Sequence, residues 1–265
     1  MARTLKRSHK FIIFMLLLAS LPLFLLFSYF LFNRLHMELL VLQTESSFQA
    51  WCYWSDYRAY AVRRFVQRLN HQDPGVREGA AAALGIIGRR RTVKERLYYF
   101  EDLPRLEKEQ ALAKKLGIPA LKKSLKDPAE TVRFEAACAL ARMDDDSGLE
   151  ELLKYALREP GDGNHFERRK EALKRLGKLG YGEAIEILID DLEKAPEEED
   201  QRWKLYSAVS SLMHITAVRS SPDIPIWEWA DTREEEEFKE KELAFWKKWW
   251  QENKRDPRWS KRWKK

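Results

Sequence analysis

Apolar positions fall into two regimes along this chain. From Phe11 to Phe32 they are continuous, FIIFMLLLASLPLFLLFSYFLF, 22 residues without a charge. From Arg58 onward they recur every three or four residues, the spacing that gathers them on one face of an α-helix. As a helix rising about 1.5 Å per residue, the first regime is long enough for the roughly 30 Å of a bilayer's hydrocarbon core. A cleaved secretory signal has a shorter apolar stretch, about 7–15 residues, and a small-residue cleavage site. The end of this run, Ser28-Tyr29-Phe30-Leu31-Phe32, offers no such site. An uncleaved signal-anchor over residues 11–32 is expected, and Pro22 within it is a kink that bilayers tolerate. A basic N-terminus (1–10) precedes it and a connector or N-terminal cap (33–57) follows.

The second regime predicts helices in pairs. Tyr60, Val62, Phe65, Val66 and Leu69 make one apolar face, and a second helix follows Asp73-Pro74-Gly75. Aspartate suits the N-cap there and proline the first turn. Alanines 80–83 allow a neighbouring helix to approach closely, and Gly88 marks a stop. A second pair covers about 117–143, with Ile118, Leu121 and Leu125 and then Val132, Ala136, Cys138, Ala139 and Leu140. A third fits 147–180 and a weaker fourth 184–217. Nothing in this stretch reads as a strand.

The pairs echo one another. Residues 76–84, Val-Arg-Glu-Gly-Ala-Ala-Ala-Ala-Leu, return 56 positions later as Val-Arg-Phe-Glu-Ala-Ala-Cys-Ala-Leu at 132–140. Each copy follows an Asp-Pro, at Asp73-Pro74 and Asp127-Pro128. Shifted by 92 positions from the first copy, Arg169, Ala172, Leu176, Gly177 and Gly180 align as well. A helical unit repeated in this way cannot bury its apolar face alone, so it stacks on its neighbours. The Asp-Pro turn followed by Val-Arg-x-x-Ala-Ala-x-Ala-Leu resembles the HEAT repeat, in particular the HEAT-like subset seen in phycobilisome lyases. The resemblance covers about 58–218 and implies an all-α, HEAT-like α-solenoid of about four helix pairs, which the uncharged run at 11–32 would precede as one transmembrane helix. It also implies a structural hydrogen-bond ladder between turn aspartate and helix arginine, here Asp73 with Arg77 and Asp127 with Arg133. Arg169 has no Asp-Pro turn to match.

Two segments interrupt or follow the repeats. An insertion at 89–116 opens with Arg89-Arg90-Arg91 and is expected to add one or two short helices; its basic start is a candidate contact for an acidic partner, or a solvated helix end. Residues 219–265 are rich in tryptophan. A helix is expected from about Arg233 to Asn253, where Phe238, Phe245, Trp246, Trp249 and Trp250 form an aromatic stripe suited to capping the open end of the stack. Residues 247–265 carry nine Lys/Arg against two acids, interleaved with Trp249, Trp250, Trp259 and Trp263. Trp259, Arg262 and Trp263 are candidate contacts for a partner or an anionic lipid surface, the rival being a free solvated end.

Charge places the chain without naming its work. Of the formal +6, residues 1–10 supply Arg3, Lys6, Arg7 and Lys10 with no acid, so the remainder is nearly neutral and no nucleic-acid partner is expected. The basic flank before the apolar run puts the N-terminus in the cytoplasm and the repeats outside it, in the periplasm if the source is bacterial. Cys52 and Cys138 form no metal or disulfide pattern, and the five histidines are scattered. No nucleophile, phosphate loop or metal motif stands out, so neither an enzyme nor a cofactor is expected. The first reading is a single-pass, membrane-anchored scaffold that binds a protein partner. An enzyme accessory or lyase-like protein is an alternative implied by the resemblance, and lipid or cell-envelope contact through the basic tail is another.

Overall fold

Helix-forming residues at three- and four-residue spacing build nine α-helices among the described residues: α1 (Arg58–Arg68), α2 (Pro74–Gly88), α3 (Leu103–Ser124), α4 (Glu130–Arg142), α5 (Leu149–Ala156), α6 (Asn164–Lys178), α7 (Glu183–Glu193), α8 (Arg202–Thr216) and α9 (Thr232–Asn253). A short 3-10 turn at Pro257–Trp259 follows. The structure, a computed structural model, describes residues 58–90, 103–158, 164–195, 202–220 and 232–263. The expected anchor at 11–32, its flanks, the connector at 33–57 and Arg91 lie outside the described residues. Among those described, no helix is long and apolar enough to cross a membrane. The chain divides into two units, residues 1–61 and 62–265, and the second holds the helical stack.

Within that unit the helices form two layers. α2, α4, α6 and α8 pack one upon the next, while α3 lies against α2 and α4, α5 against α6, and α7 against α8. Small residues make the spacing possible. A Cβ added at Gly85 of α2 would stand 2.7 Å from the Cα of Ala139 on α4, so the two backbones approach as closely as glycine permits. The apolar faces read from the sequence are buried at Leu84, Leu121, Val132 and Leu140, and Leu152, Leu173, Leu176, Ile185, Leu192 and Leu212 join one core cluster that runs from Phe134 on α4 to Trp259. Burying each such side chain is worth about 1.5–3 kcal/mol relative to leaving it in water, which is what holds a stack of individually marginal helices together.

Local chemistry sets the helix ends. Asp73 caps α2, accepting from the Gly75 amide at 2.8 Å, with Pro74 in the first turn. α6 ends where the Tyr181 amide donates to Leu176 O (3.1 Å) around Gly180, whose φ of +95° lies in the left-handed region. At the corresponding end of α4, Asp144 takes that conformation with φ 65°, and the Asp145 amide donates to Leu140 O.

One boundary and one expectation change. The latter part of the insertion, from Leu103, runs without a break into the first helix of the second pair, because Leu106, Ala113, Gly117 and Leu121 keep one buried face in register; residues 91–102 lie outside the described residues. Pro119 sits inside this helix, costing one amide donor without ending it. The basic tail, expected as a surface contact or a free end, is instead folded back. After α9, Lys261 N donates to Gly180 O (3.2 Å), and its Nζ lies 3.1 Å from Asp146 Oδ2 at the α4–α5 turn. A Cβ at Gly180 would stand 2.5 Å from Arg258 O, so the tail lies directly on this turn.

α9 itself covers the outer face of α7. Trp246 is fully buried with its indole N–H on Glu242 (2.9 Å), and Trp250 donates to Glu186 of α7 at 3.2 Å.

Candidate functional site

The three repeat-equivalent arginines form one ladder, with connections other than those the resemblance implied. Arg77 does not pair with Asp73, whose carboxylate is occupied by the α2 cap. Its Nη1 donates to His71 O and Gln72 O (both 2.8 Å), and its Nε and Nη2 grip Asp127 of the next repeat at 2.7 and 2.8 Å. Arg133 does not engage the Asp127 carboxylate either. It donates to the backbone oxygens of Asp127 (2.8 Å) and Pro128 (3.0 Å) and stands 3.4 Å from Glu151 on α5. Arg169 donates to Arg158 O at 2.7 Å and binds both oxygens of Asp191 on α7.

Each guanidinium thus ties its own turn to an acid one repeat further on. Asp127 does the same local work as Asp73, its Oδ1 accepting from the Ala129 amide at 2.9 Å, and its carboxylate takes Arg77 of the preceding repeat as well. The hydrogen bond from Arg77 holds the Asp127 carboxyl below its ordinary range, against the upward push of burial.

A second row of charge runs across the outward face of α4, α6 and α8. Arg142 on α4 bonds Glu135 on its own helix and Glu171 on α6, the latter at 3.1 Å. Glu171 also accepts from Arg175 and lies 3.3 Å from Lys174 Nζ. Burial alone would raise Glu171; Arg175, Lys174 and Arg142 outweigh it and bring the carboxyl down to about 2. Glu135 goes the other way: burial pushes it up and Arg142 only partly offsets that. Cys138, beneath this row, is a buried thiol pushed well up by burial and by Glu135, so it is not poised as a nucleophile.

Beyond Glu171 the row becomes wholly cationic. Lys174, Arg175 and Lys178 project from the last two turns of α6, opposite its buried face of Ala172, Leu173 and Leu176. His214 adjoins them from the last turn of α8, which packs on α6. Lys178 is exposed and makes no ion pair or hydrogen bond among the described residues. The Arg175 Nε is buried without a hydrogen-bond partner. His214 is exposed by surface area, yet desolvation within the packed end of the ridge, followed by repulsion from Lys174, Lys178 and Arg175, lowers its pKa to about 4. Lys178 is lowered by desolvation and by repulsion from Arg175 and Lys174. Four groups that accept or carry positive charge share this end of the ridge with one carboxylate, already committed.

The other sequence candidates are placed as follows. Arg89 is half-buried at the end of α2, where its carbonyl accepts from Gln110 (3.0 Å), and Arg90 is exposed. Trp259 is a core residue, 4% exposed and edge-on to Trp249 at 6.4 Å, so it is not available to a lipid surface. Arg262 donates to Trp259 O (3.0 Å) and lies 3.7 Å from Glu183, while Trp263 stacks on Tyr181 at 5.9 Å. Both are fastened to the stack rather than presented from a tail.

A half-open cavity of about 380 Å³ lies between α1 and α3, lined by Val66, Leu69, Leu116 and Pro119, with Lys123 and Asp127 at its polar side. Its carboxylate is already held by Arg77, and no titratable pair faces another across it. No cluster of His, Cys, Asp and Glu suited to a metal ion occurs among the described residues.

Sequence reasoning missed Lys174, Lys178 and His214. Their signal was present as a run of like charge at positions 174, 175 and 178 of one helix, but without α8 beside it such a run reads as an ordinary solvated face. Residues 118–208 match the family model for HEAT repeats, which supports a HEAT-repeat protein. No curated protein matches the chain.

Proposed function

We propose that this chain is a HEAT-repeat scaffold that binds a protein partner across the outward face of α4, α6 and α8 and is held at a membrane by residues 11–32. The observation that carries the first part is the pairing of a continuous helical stack with a ridge of polar side chains over three successive repeats. The repeats supply rigidity, since each arginine rung crosses a repeat boundary, and rigid stacks offer extended surfaces to partners. HEAT repeats commonly mediate such interactions, and the match at 118–208 includes all of α4, α6 and α7. Membrane attachment rests on the uncharged 22-residue run and its basic flank. That orientation puts the repeats on the side of the membrane opposite the N-terminus.

Chemical crosslinking of the full chain in its native membranes tests both parts. A discrete adduct with another protein, in a fraction that resists alkaline carbonate extraction, is the expected result. Full release by carbonate would end the anchor proposal, and failure to form any adduct at saturating crosslinker would end the scaffold proposal.

A further inference from the structure

The ridge is not charge-balanced along its length, and the imbalance bears on what can dock there. On α4, Arg142 is satisfied by Glu135 and Glu171. On α6, Glu171 is shared among Arg142, Arg175 and Lys174, so a single carboxylate answers three cations. Among the described residues, no carboxylate pairs with Lys178. A protein that merely solvated this face would have no reason to gather Lys174, Lys178 and Arg175 around a histidine on the adjoining helix, where each raises the electrostatic cost of the others. Like charges held together by packing form a site that an incoming anion relieves, and perturbed groups collected in this way mark functional surfaces more often than chance.

We propose that the cationic end of the ridge, Lys174, Lys178 and His214 with the Arg175 guanidinium behind them, docks a carboxylate-rich segment of a protein partner. This rests on the scaffold reading and names the partner's chemistry. Charge complementarity selects an acidic peptide. The half-buried Lys174 ammonium and the exposed Lys178 ammonium, one helical turn apart, match side-chain carboxylates spaced along an extended or helical segment. Nucleic acid fits less well: outside residues 1–10 the chain is close to neutral, so a backbone-tracking field is missing. The one aromatic side chain of α6, Phe166, is buried, leaving no stacking platform on that helix. The site is also small. Three or four cations flanked by the Glu171 carboxylate suit a few carboxylates in a defined position, with Glu171 rejecting a partner that shifts towards α4.

The test uses the full chain in detergent and a fluorescein-labelled octaglutamate peptide, with octaglutamine as the uncharged control. Fluorescence anisotropy should show saturable binding of octaglutamate that weakens with added salt. The double variant Lys174→Gln/Lys178→Gln should weaken it about tenfold, as expected for losing two solvent-facing charge pairs. Lys126→Gln, an exposed lysine in the α3–α4 turn, should leave it unchanged. A thermal transition close to that of the unaltered chain checks that the double variant folds.

Three results would overturn the proposal: no saturable binding, equal weakening by Lys126→Gln, or displacement by inorganic phosphate or oligothymidylate at the same concentrations as octaglutamate. Self-association in sedimentation velocity that disappears in the double variant would assign the surface to a second copy of this chain and overturn it too. If the peptide fails while native-membrane crosslinking still yields a protein adduct, the scaffold reading stands and only the acidic-partner assignment falls.

Discussion

At the scale of single residues, the decisive side chains are those whose partners lie in another repeat. Arg169 is buried and its guanidinium meets both oxygens of Asp191, so Asp191→Ala leaves a buried charge with only the Arg158 carbonyl. Removing one partner of such a pair costs about 3 kcal/mol, which should appear as a lower urea midpoint with an unchanged slope. Sequence reading found Arg77, Arg133 and Arg169 because they recur at fixed spacing. It placed Asp127 with Arg133 rather than Arg77 and did not find Glu151 or Asp191, because these acids hold no common position relative to the arginines. The repeat fixes where the donor stands, and packing decides which acid comes within reach.

The pH response is a residue-scale property as well. Unfolded, His214 titrates near 6.5; folded, at about 4. Between these values the unfolded chain binds more protons, so stability falls as pH drops from about 6.5 towards 4. Glu171 acts lower down: its contribution is complete above its unfolded value of 4.5 and is lost as pH falls towards about 2. Urea midpoints at several pH values should therefore decline through both windows, and His214→Asn should flatten the upper one alone. Lys178→Gln should raise the His214 midpoint, read from its imidazole resonances. An unshifted midpoint would mean that the two groups do not share a field.

At the scale of elements, the helices were legible wherever an apolar face persisted, and misread where two helices shared one. The boundary expected near 117 fails because Leu106, Ala113 and Gly117 continue the buried face of Leu121, and that burial outweighs the local breakers Gly117 and Pro119. The tail was misread for the converse reason. Its composition is that of a surface, yet Trp259 finds a pocket beside Trp249 that exists only once α9 has docked.

α2 and α4 meet closely at Gly85, and glycine substitution there separates contact from propensity. Gly85→Ala places a Cβ 2.7 Å from the Ala139 backbone and should destabilise by about 1–2 kcal/mol, overpacking outweighing the better helix former. Gly79→Ala, on the same helix with nothing within 4 Å, should stabilise by up to about 1 kcal/mol. Thermal melts of the two variants should move in opposite directions. A shared direction would remove the close α2–α4 approach from the account.

At the scale of the whole molecule, the arginine ladder and the ridge run through the same repeats: one fastens α4 to α7 internally, the other presents α4, α6 and α8 outward. The folded-back tail adds a brace, since Lys261 and Arg262 join the α4–α5 turn to the start of α7 through Asp146 and Glu183. A stack fastened in this way keeps Lys174, Lys178 and His214 in fixed relation, which is what a docking surface needs.

Site-specific photocrosslinking in native membranes tests that claim most directly, with the reactive amino acid placed at position 178 and, separately, at position 126. The account predicts a discrete protein adduct from position 178, mapped by mass spectrometry to an acidic segment of the partner, and none from position 126. Adducts of equal yield from both positions, or none from position 178, would contradict it.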